Sequence, residues 1–329
     1  MAGMQAAAEA SGSVAAKTVE ALERWSTRHR SIDAAGTRIE WRVWPTVAGP
    51  RAPALVLLHG SFGSWTHWVR NIEHFARTHR VVCPDVPGFG ESGDAPSERM
   101  PPAMGGVLAA GLRAEHDVLL GHAETLSVAG FSLGAVYAGW LARAWGEVAA
   151  PAALDRLILL SPGGLGEREV RDLGLRRIDP GASETERIAA HRHNLAQVMF
   201  ARADSIDSLA IALQDRNVAR ARFRGKFSSR SSFLLEALSH TQMPLLSLWG
   251  GKDAFDPDVT PRVQALLGVR PDACTHVLPQ AGHWVGYEEA MQVNALVGSF
   301  LNTNPYSGTK CGSDVEGENG SWQSEERMP

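Results

Sequence analysis

Thr125-Leu126-Ser127-Val128-Ala129-Gly130-Phe131-Ser132-Leu133-Gly134-Ala135 is the stretch on which the reading of this chain turns. Thr125 to Phe131 reads as a buried strand, and Leu133 to Trp145 is apolar at helical spacing. The pentapeptide Gly130-Phe131-Ser132-Leu133-Gly134 therefore falls at a strand-to-helix turn, the context in which G-x-S-x-G exposes a nucleophile. A sharp turn crowds the backbone on both sides of the serine, so side chains at Gly130 and Gly134 would clash. It lifts the Ser132 hydroxyl above the sheet edge. It also leaves the Leu133 amide at a helix N-terminus, facing any negative charge that develops there. A glycine-flanked serine also occurs at ordinary strand-to-helix turns, so the assignment needs partners elsewhere in the chain.

Working outward, Arg38 to Trp44 alternates and stops at Pro45, as a strand would. Ala54 to His59 is a continuous apolar run, expected of a strand buried on both faces of a parallel sheet. A helical stretch follows at about Trp65 to Thr78, then a strand at Arg80 to Pro84 and a glycine-rich loop at Asp85 to Gly93. Met100 to Glu115 is helical after the Pro101-Pro102 start. Leu154 to Leu160, Leu245 to Trp249 and Cys274 to Leu278 read as strands, with helices near Pro261 to Leu267 and Val285 to Leu301. This alternation predicts an α/β fold: a mostly parallel sheet with helices on both faces. Residues 163–242 break the rhythm. They hold no convincing strand, are helical in composition, and read as an inserted helical cap. The expected organisation is a partly helical leader at 1–29, core at 30–162, cap at 163–242, core again at 243–302, and a polar, disordered tail at 303–329.

The 329 residues suit one α/β domain with an insertion, and 44% apolar with 21% charged residues is ordinary for a globular protein. A formal charge of −4 points to neither a nucleic-acid partner nor an anionic membrane surface. No apolar run approaches the roughly 20 residues that cross a bilayer. Met1 to Ala16 lacks the basic start and apolar core of a secretory signal. Of three cysteines, Cys83 and Cys274 lie in strand-like runs and are expected as buried free thiols, which favours a reducing, cytoplasmic setting.

A serine hydroxyl needs a base. Asp253 (in Trp249-Gly250-Gly251-Lys252-Asp253) and His283 (in Ala281-Gly282-His283-Trp284) follow Ser132 in the order Ser, acid, His. Each lies just past a predicted core strand, where the loops at the carboxyl ends form the crevice of an open α/β sheet. Asp256 and Asp258 compete for the acid role but lie further into the turn, and Asp258, shortly before Pro261, looks like a helix cap. In His59-Gly60-Ser61-Phe62-Gly63 the Ser61 amide is placed to be the second oxyanion donor beside Leu133, with His59 bracing the loop. Asp85, in Asp85-Val86-Pro87-Gly88-Phe89-Gly90-Glu91-Ser92, reads as a cap or brace. His191 and His193 have no carboxylate or cysteine company that would make a metal site, and no cofactor is implied.

LLHG, PDVPGFGES, GFSLG, WGGKD and AGHW, in this order, resemble the α/β-hydrolase superfamily over about residues 30 to 302, excluding most of the cap. Within it the chain looks most like the meta-cleavage product hydrolases, which split carbon–carbon bonds of dienoates, and like related carboxylesterases. The matching residues are Trp68-Val69-Arg70-Asn71, His283-Trp284, Glu288 and Asn294. Leu213-Gln214-Asp215-Arg216 resembles the segment that carries that family's substrate-carboxylate arginine, so the resemblance makes Arg216 a binding candidate. Phe62, Phe131 and Trp284 complete the substrate-binding candidates. Phe131 stands where that family has Asn, and the loop at Gly60 to Gly63 is shorter and poorer in glycine, which tilts the expectation toward an ester. The expected activity is thus a serine hydrolase of a small-molecule ester or related acyl compound, with a dienoate carbon–carbon hydrolase as the alternative. An acyltransferase and a non-catalytic binding protein of the same fold are further alternatives. Partners are a small molecule and neither nucleic acid nor membrane. Assembly is left open, with a homodimer the commonest outcome for soluble oligomers.

Overall fold

The computed structural model describes residues 17–33, 36–98, 100–167, 172–223 and 231–303. Residues 1–16 of the leader expected at 1–29, and nearly all of the expected tail, lie outside these.

Eight strands form one sheet: β1 Thr27–Ile32, β2 Arg38–Trp44, β3 Ala54–Leu58, β4 Arg80–Asp85, β5 Thr125–Phe131, β6 Ala153–Leu160, β7 Leu245–Gly250 and β8 Cys274–Leu278. Their order across the sheet is β1-β2-β4-β3-β5-β6-β7-β8. β1 and β2 pair antiparallel, as do β2 and β4; all other pairs are parallel. β3 is buried along its whole length, which is why ALVLL has no polar alternation. β1 has no counterpart among the predicted strands. Its residues, TRHRSI, are mostly solvent-facing because β1 is an edge strand with one covered side, so no apolar pattern marks it.

Besides the helix at 17–25, the longer helices among the described residues are α1 Pro101–Ala114, α2 Leu133–Gly146, α3 Glu184–Val198, α4 Ser208–Arg220, α5 Phe233–Leu238, α6 Thr260–Val269 and α7 Ala290–Asn302. One apolar cluster joins α1, α2 and α5 to one face, around Tyr137, Leu141 and Trp145. A second joins α7 and the Trp65 to Phe75 region to the other face, around Trp44, Ile72 and Trp284. Two predicted helices are broken. Trp65 to Thr78 holds only the single turns Trp65–Trp68 and Ile72–Phe75, separated at Val69 to Asn71. Val285 to Leu301 is interrupted at Glu289, where Val285–Glu288 ends and α7 begins.

α3, α4 and α5 lie between β6 and β7, and the described residues of 163–242 contain no strand. A capping box at Ser183 and Glu186 starts α3, and the Asp207 carboxylate caps α4. Cys83 is a buried free thiol. Cys274 is disulfide-bonded instead of being the free thiol expected. Among the described residues no helix is long and apolar enough to cross a membrane.

Candidate active site

Ser132 sits between β5 and α2 with φ 54° and ψ −116°. This is a left-handed conformation that a non-glycine residue holds only where the surroundings enforce it. Here the Ser132 N–H donates to the Leu160 carbonyl at 2.9 Å. A Cβ on Gly130 would lie 2.3 Å from the Gly134 carbonyl oxygen, and one on Gly134 would lie 2.3 Å from the Leu58 oxygen. The two glycines are therefore required by close backbone approach, as the pentapeptide implied.

The loops after β7 and β8 also close on each other through backbone. The Gly251 N–H donates to Leu278 O at 2.8 Å and the Lys252 N–H to Ala281 O at 2.9 Å. A Cβ on Gly250 would meet the Gly282 oxygen at 2.0 Å. This zipper brings Asp253 and His283 together. His283 Nδ1 lies 2.6 Å from Asp253 Oδ2, and His283 Nε2 lies 2.9 Å from Ser132 Oγ. Asp253 Oδ1 accepts the Phe255 N–H at 2.8 Å. A carboxylate only accepts, so Nδ1 carries the proton and Nε2 faces the hydroxyl with its lone pair. Asp253 and His283 are buried, and the rings of Phe255 and Phe131 stand 4.7 and 5.1 Å from the imidazole. The rival acids are engaged elsewhere: Asp256 pairs with Arg262 at 2.9 Å, and Asp258 accepts the Thr260 N–H at the start of α6.

The loop at Gly60 to Gly63 lies against the serine, since a Cβ on Gly60 would come within 3.1 Å of Ser132 Cβ. Among the described residues, neither the Ser61 nor the Leu133 N–H has a hydrogen-bond partner. Leu133 is the first residue of α2, where such amides are free to meet an anion. Phe62 has φ 53°, a second strained residue beside the first. His59 accepts the Val86 N–H at Nε2 (2.9 Å), and Asp85 accepts the Trp65 and Glu91 N–H groups, so both act as braces.

Two substrate-binding candidates have other partners. The Arg216 guanidinium donates to Glu23 at 3.0 Å and lies 3.9 Å from Glu91. These two carboxylates also gather Arg28, Arg42 and Arg220, and that charge cluster holds Arg216. Trp284 is fully buried: its indole N–H donates to His67 O at 3.0 Å, and its ring packs on Tyr287 at 4.4 Å. It supports the His283 loop from beneath. Phe131 stays at the site, beside His283.

His67 and Glu288 are site residues to which the sequence assigns no role. His67 is buried, 4.9 Å from Trp284 and 5.4 Å from Phe131. Its place in Ser64-Trp65-Thr66-His67, just after the Gly60 to Gly63 loop, was the available signal. The Glu288 carboxylate accepts the N–H groups of Gly282, Ala201 and Arg202 at 2.8, 3.0 and 2.9 Å. It thereby ties the His283 loop to the segment after α3. Among the described residues no three His, Cys, Asp or Glu side chains converge as a metal would require.

Residues 55–296 match the model of the alpha/beta hydrolase family. The chain is 30% identical over 265 residues to the 2-hydroxy-6-oxo-6-phenylhexa-2,4-dienoate hydrolase of Burkholderia cepacia, covering 75% of this chain and 87% of that one. It is 29% identical over 275 residues to the dihydrolipoyllysine-residue acetyltransferase component of the acetoin cleaving system of Pseudomonas putida, covering 78% of this chain but spanning only 66% of that longer protein. Among solved structures, the esterase RhEst1 of Rhodococcus sp. ECU1013 superposes with a TM-score of 0.66 at 21% identity, over 84% of this chain and 98% of that one. The elbow, the zipped loops and the family match together make this chain a member of the alpha/beta hydrolase family.

Proposed function

We propose that the protein is a serine hydrolase that cleaves a small-molecule ester or related acyl bond through Ser132, His283 and Asp253. The observation that carries this is the continuous relay of 2.9 and 2.6 Å from Ser132 Oγ through the imidazole to Asp253. Ser132 Oγ attacks the acyl carbon while His283 Nε2 takes its proton. The Ser61 and Leu133 N–H groups hold the oxygen that becomes negative. His283 returns the proton to the leaving alcohol, and the acyl group stays on Ser132. A water molecule then gives a proton to His283 and attacks the acyl carbon, and the imidazolium returns that proton to Ser132 Oγ.

An ester is favoured because Phe131, next to the nucleophile, offers no hydrogen bond to a substrate oxygen, and because Arg216 is occupied by Glu23. The second reading, carbon–carbon cleavage of a dienoate, is favoured by the Burkholderia cepacia relative. An alcohol in place of water as acyl acceptor would make the same site a transferase, as the name of the Pseudomonas putida relative suggests. The cytoplasmic setting stays in this proposal on the buried Cys83 thiol alone, because Cys274 is disulfide-bonded.

The test is to compare wild type and Ser132→Ala on a chromogenic short-chain ester and on a yellow ring-fission dienoate. We expect ester turnover by wild type and its loss, by at least about 1,000-fold, in the variant. Bleaching of the dienoate with inertness toward esters would install the second reading. Equal rates in the two proteins would remove Ser132 from the mechanism.

A further inference from the structure

The amide planes on either side of Gly60 are each held by an imidazole. The Gly60 N–H donates to His67 Nδ1 at 3.3 Å, and the Gly60 carbonyl accepts from His59 Nδ1 at 2.8 Å. The hydrogen-bond pattern sets both tautomers. His59 Nε2 accepts the Val86 N–H, so the His59 proton must sit on Nδ1. His67 Nδ1 accepts an N–H, so its proton must sit on Nε2. Both rings are neutral. Burial lowers the pKa of each, and for His67 the neighbouring His59 and His283 lower it further.

The Gly60 carbonyl and the Ser61 N–H belong to one peptide unit, and no cis bond occurs among the described residues. In a trans peptide the C=O and N–H point in opposite directions. Anchoring the carbonyl on His59 therefore turns the Ser61 N–H to the other side. The next residue, Phe62, sits at φ 53°, so this loop is strained and needs an external restraint to keep its shape. His67 is built in as that restraint. Its ring lies over Gly63, where a Cβ would come 2.3 Å from the ring, and its own carbonyl takes the Trp284 indole N–H. One residue, by its ring and its carbonyl, thus links the loop beside Ser132 to the residue that follows His283.

We propose that His67 is a positioning residue for the oxyanion hole: with His59 it clamps the two amide planes around Gly60 and aims the Ser61 N–H at the acyl oxygen on Ser132. This rests on the hydrolase reading above, and the experiment separates the two.

The full-length protein is treated with a fluorophosphonate, whose phosphoryl oxygen occupies the oxyanion hole as Ser132 is labelled. Wild-type labelling at Ser132 establishes the nucleophile; a wild type left unlabelled overturns the hydrolase reading and this proposal with it. His67→Leu keeps the bulk and removes the acceptor. His67→Asn returns an acceptor oxygen close to the position of Nδ1. His67→Leu is expected to label about 10- to 100-fold more slowly and to lose kcat on an ester by the same factor, with KM and the acidic midpoint of the pH profile unchanged. His67→Asn is expected to recover most of that loss. Wild-type rates in His67→Leu, or equal losses in both variants, overturn the proposal. Should His67→Leu not fold, long-range nitrogen–proton NMR of the wild-type imidazoles decides. Nε2–H on His67 with Nδ1–H on His59 supports the clamp, and any other pair of tautomers overturns it.

Discussion

The loops that carry Ser132, Asp253 and His283 and the segment inserted between β6 and β7 meet at the same rim of the sheet, yet they are held differently. In the loops, backbone closes on backbone: Gly134 against the Leu58 oxygen, Gly250 against the Gly282 oxygen, Lys252 N–H on Ala281 O. At these contacts no side chain intervenes. The inserted segment is anchored to the core by apolar packing, through Leu195, Phe200, Ile211, Leu213 and Leu234, and adds side-chain pairs at or near its surface. Arg187 meets Asp215 at 3.1 Å, Arg222 meets Asp94 at 2.9 Å, Arg70 meets Asp207 at 2.6 Å, and Arg216 meets Glu23 at 3.0 Å. Such pairs are screened by solvent and cost side-chain entropy. The difference predicts that these surface pairs can be replaced without disturbing the relay. Buried joints also reach the site from this segment. Asn217 on α4 bonds Ser64 and Thr66 beside the oxyanion loop, and Glu288 binds the His283 loop to Ala201 and Arg202.

The contrast can be broken at three places. Asp253→Asn strikes the relay. It reverses the donor and acceptor at His283 Nδ1, puts the proton on the wrong nitrogen, and should lower kcat about 10,000-fold with the melting temperature little changed. A loss under tenfold would mean that Asp253 does not set the tautomer. Glu288→Gln strikes the joint. An amide has one acceptor oxygen where the carboxylate serves three N–H groups with two, so about 2–3 kcal/mol of stability should be lost in denaturant titration. The loss of kcat should follow from loosening at Gly282. If stability is unchanged, the inserted segment is not anchored through this carboxylate. Arg216→Ala strikes the surface pairs. It should cost about 1 kcal/mol or less and leave ester kcat and KM within twofold. A large rise in KM confined to a carboxylate-bearing substrate would instead return Arg216 to the binding site.

The parts of this site that were legible in the sequence are those dictated by local backbone chemistry. GFSLG, WGGKD and AGHW each place a glycine where a Cβ would collide, and those glycines mark the carboxyl ends of β5, β7 and β8. Long-range pairing was not legible. Nothing in Leu213-Gln214-Asp215-Arg216 announces that Glu23, from the helix at 17–25, will take the guanidinium. Nothing in Thr27 to Ile32 shows that this polar run pairs with β2, because an edge strand need bury only part of one face. Trp284 looked like a substrate contact by its place next to His283. Its indole N–H, which must find a partner when buried, found the His67 carbonyl below the site. His67 itself, one histidine among twelve, has only its place after the Gly60 to Gly63 loop as a signal, and that place does not show that its ring accepts the Gly60 N–H.

The most direct test of the relay is to quench the reaction with a slowly turned-over chromogenic ester in acid and to locate the acyl group by mass spectrometry of the digested protein. The account predicts one acyl mass, on the peptide that carries Ser132, with none in Asp253→Asn at matched early times. Turnover with the acyl group on another residue, or with none on the protein at any time, would contradict it.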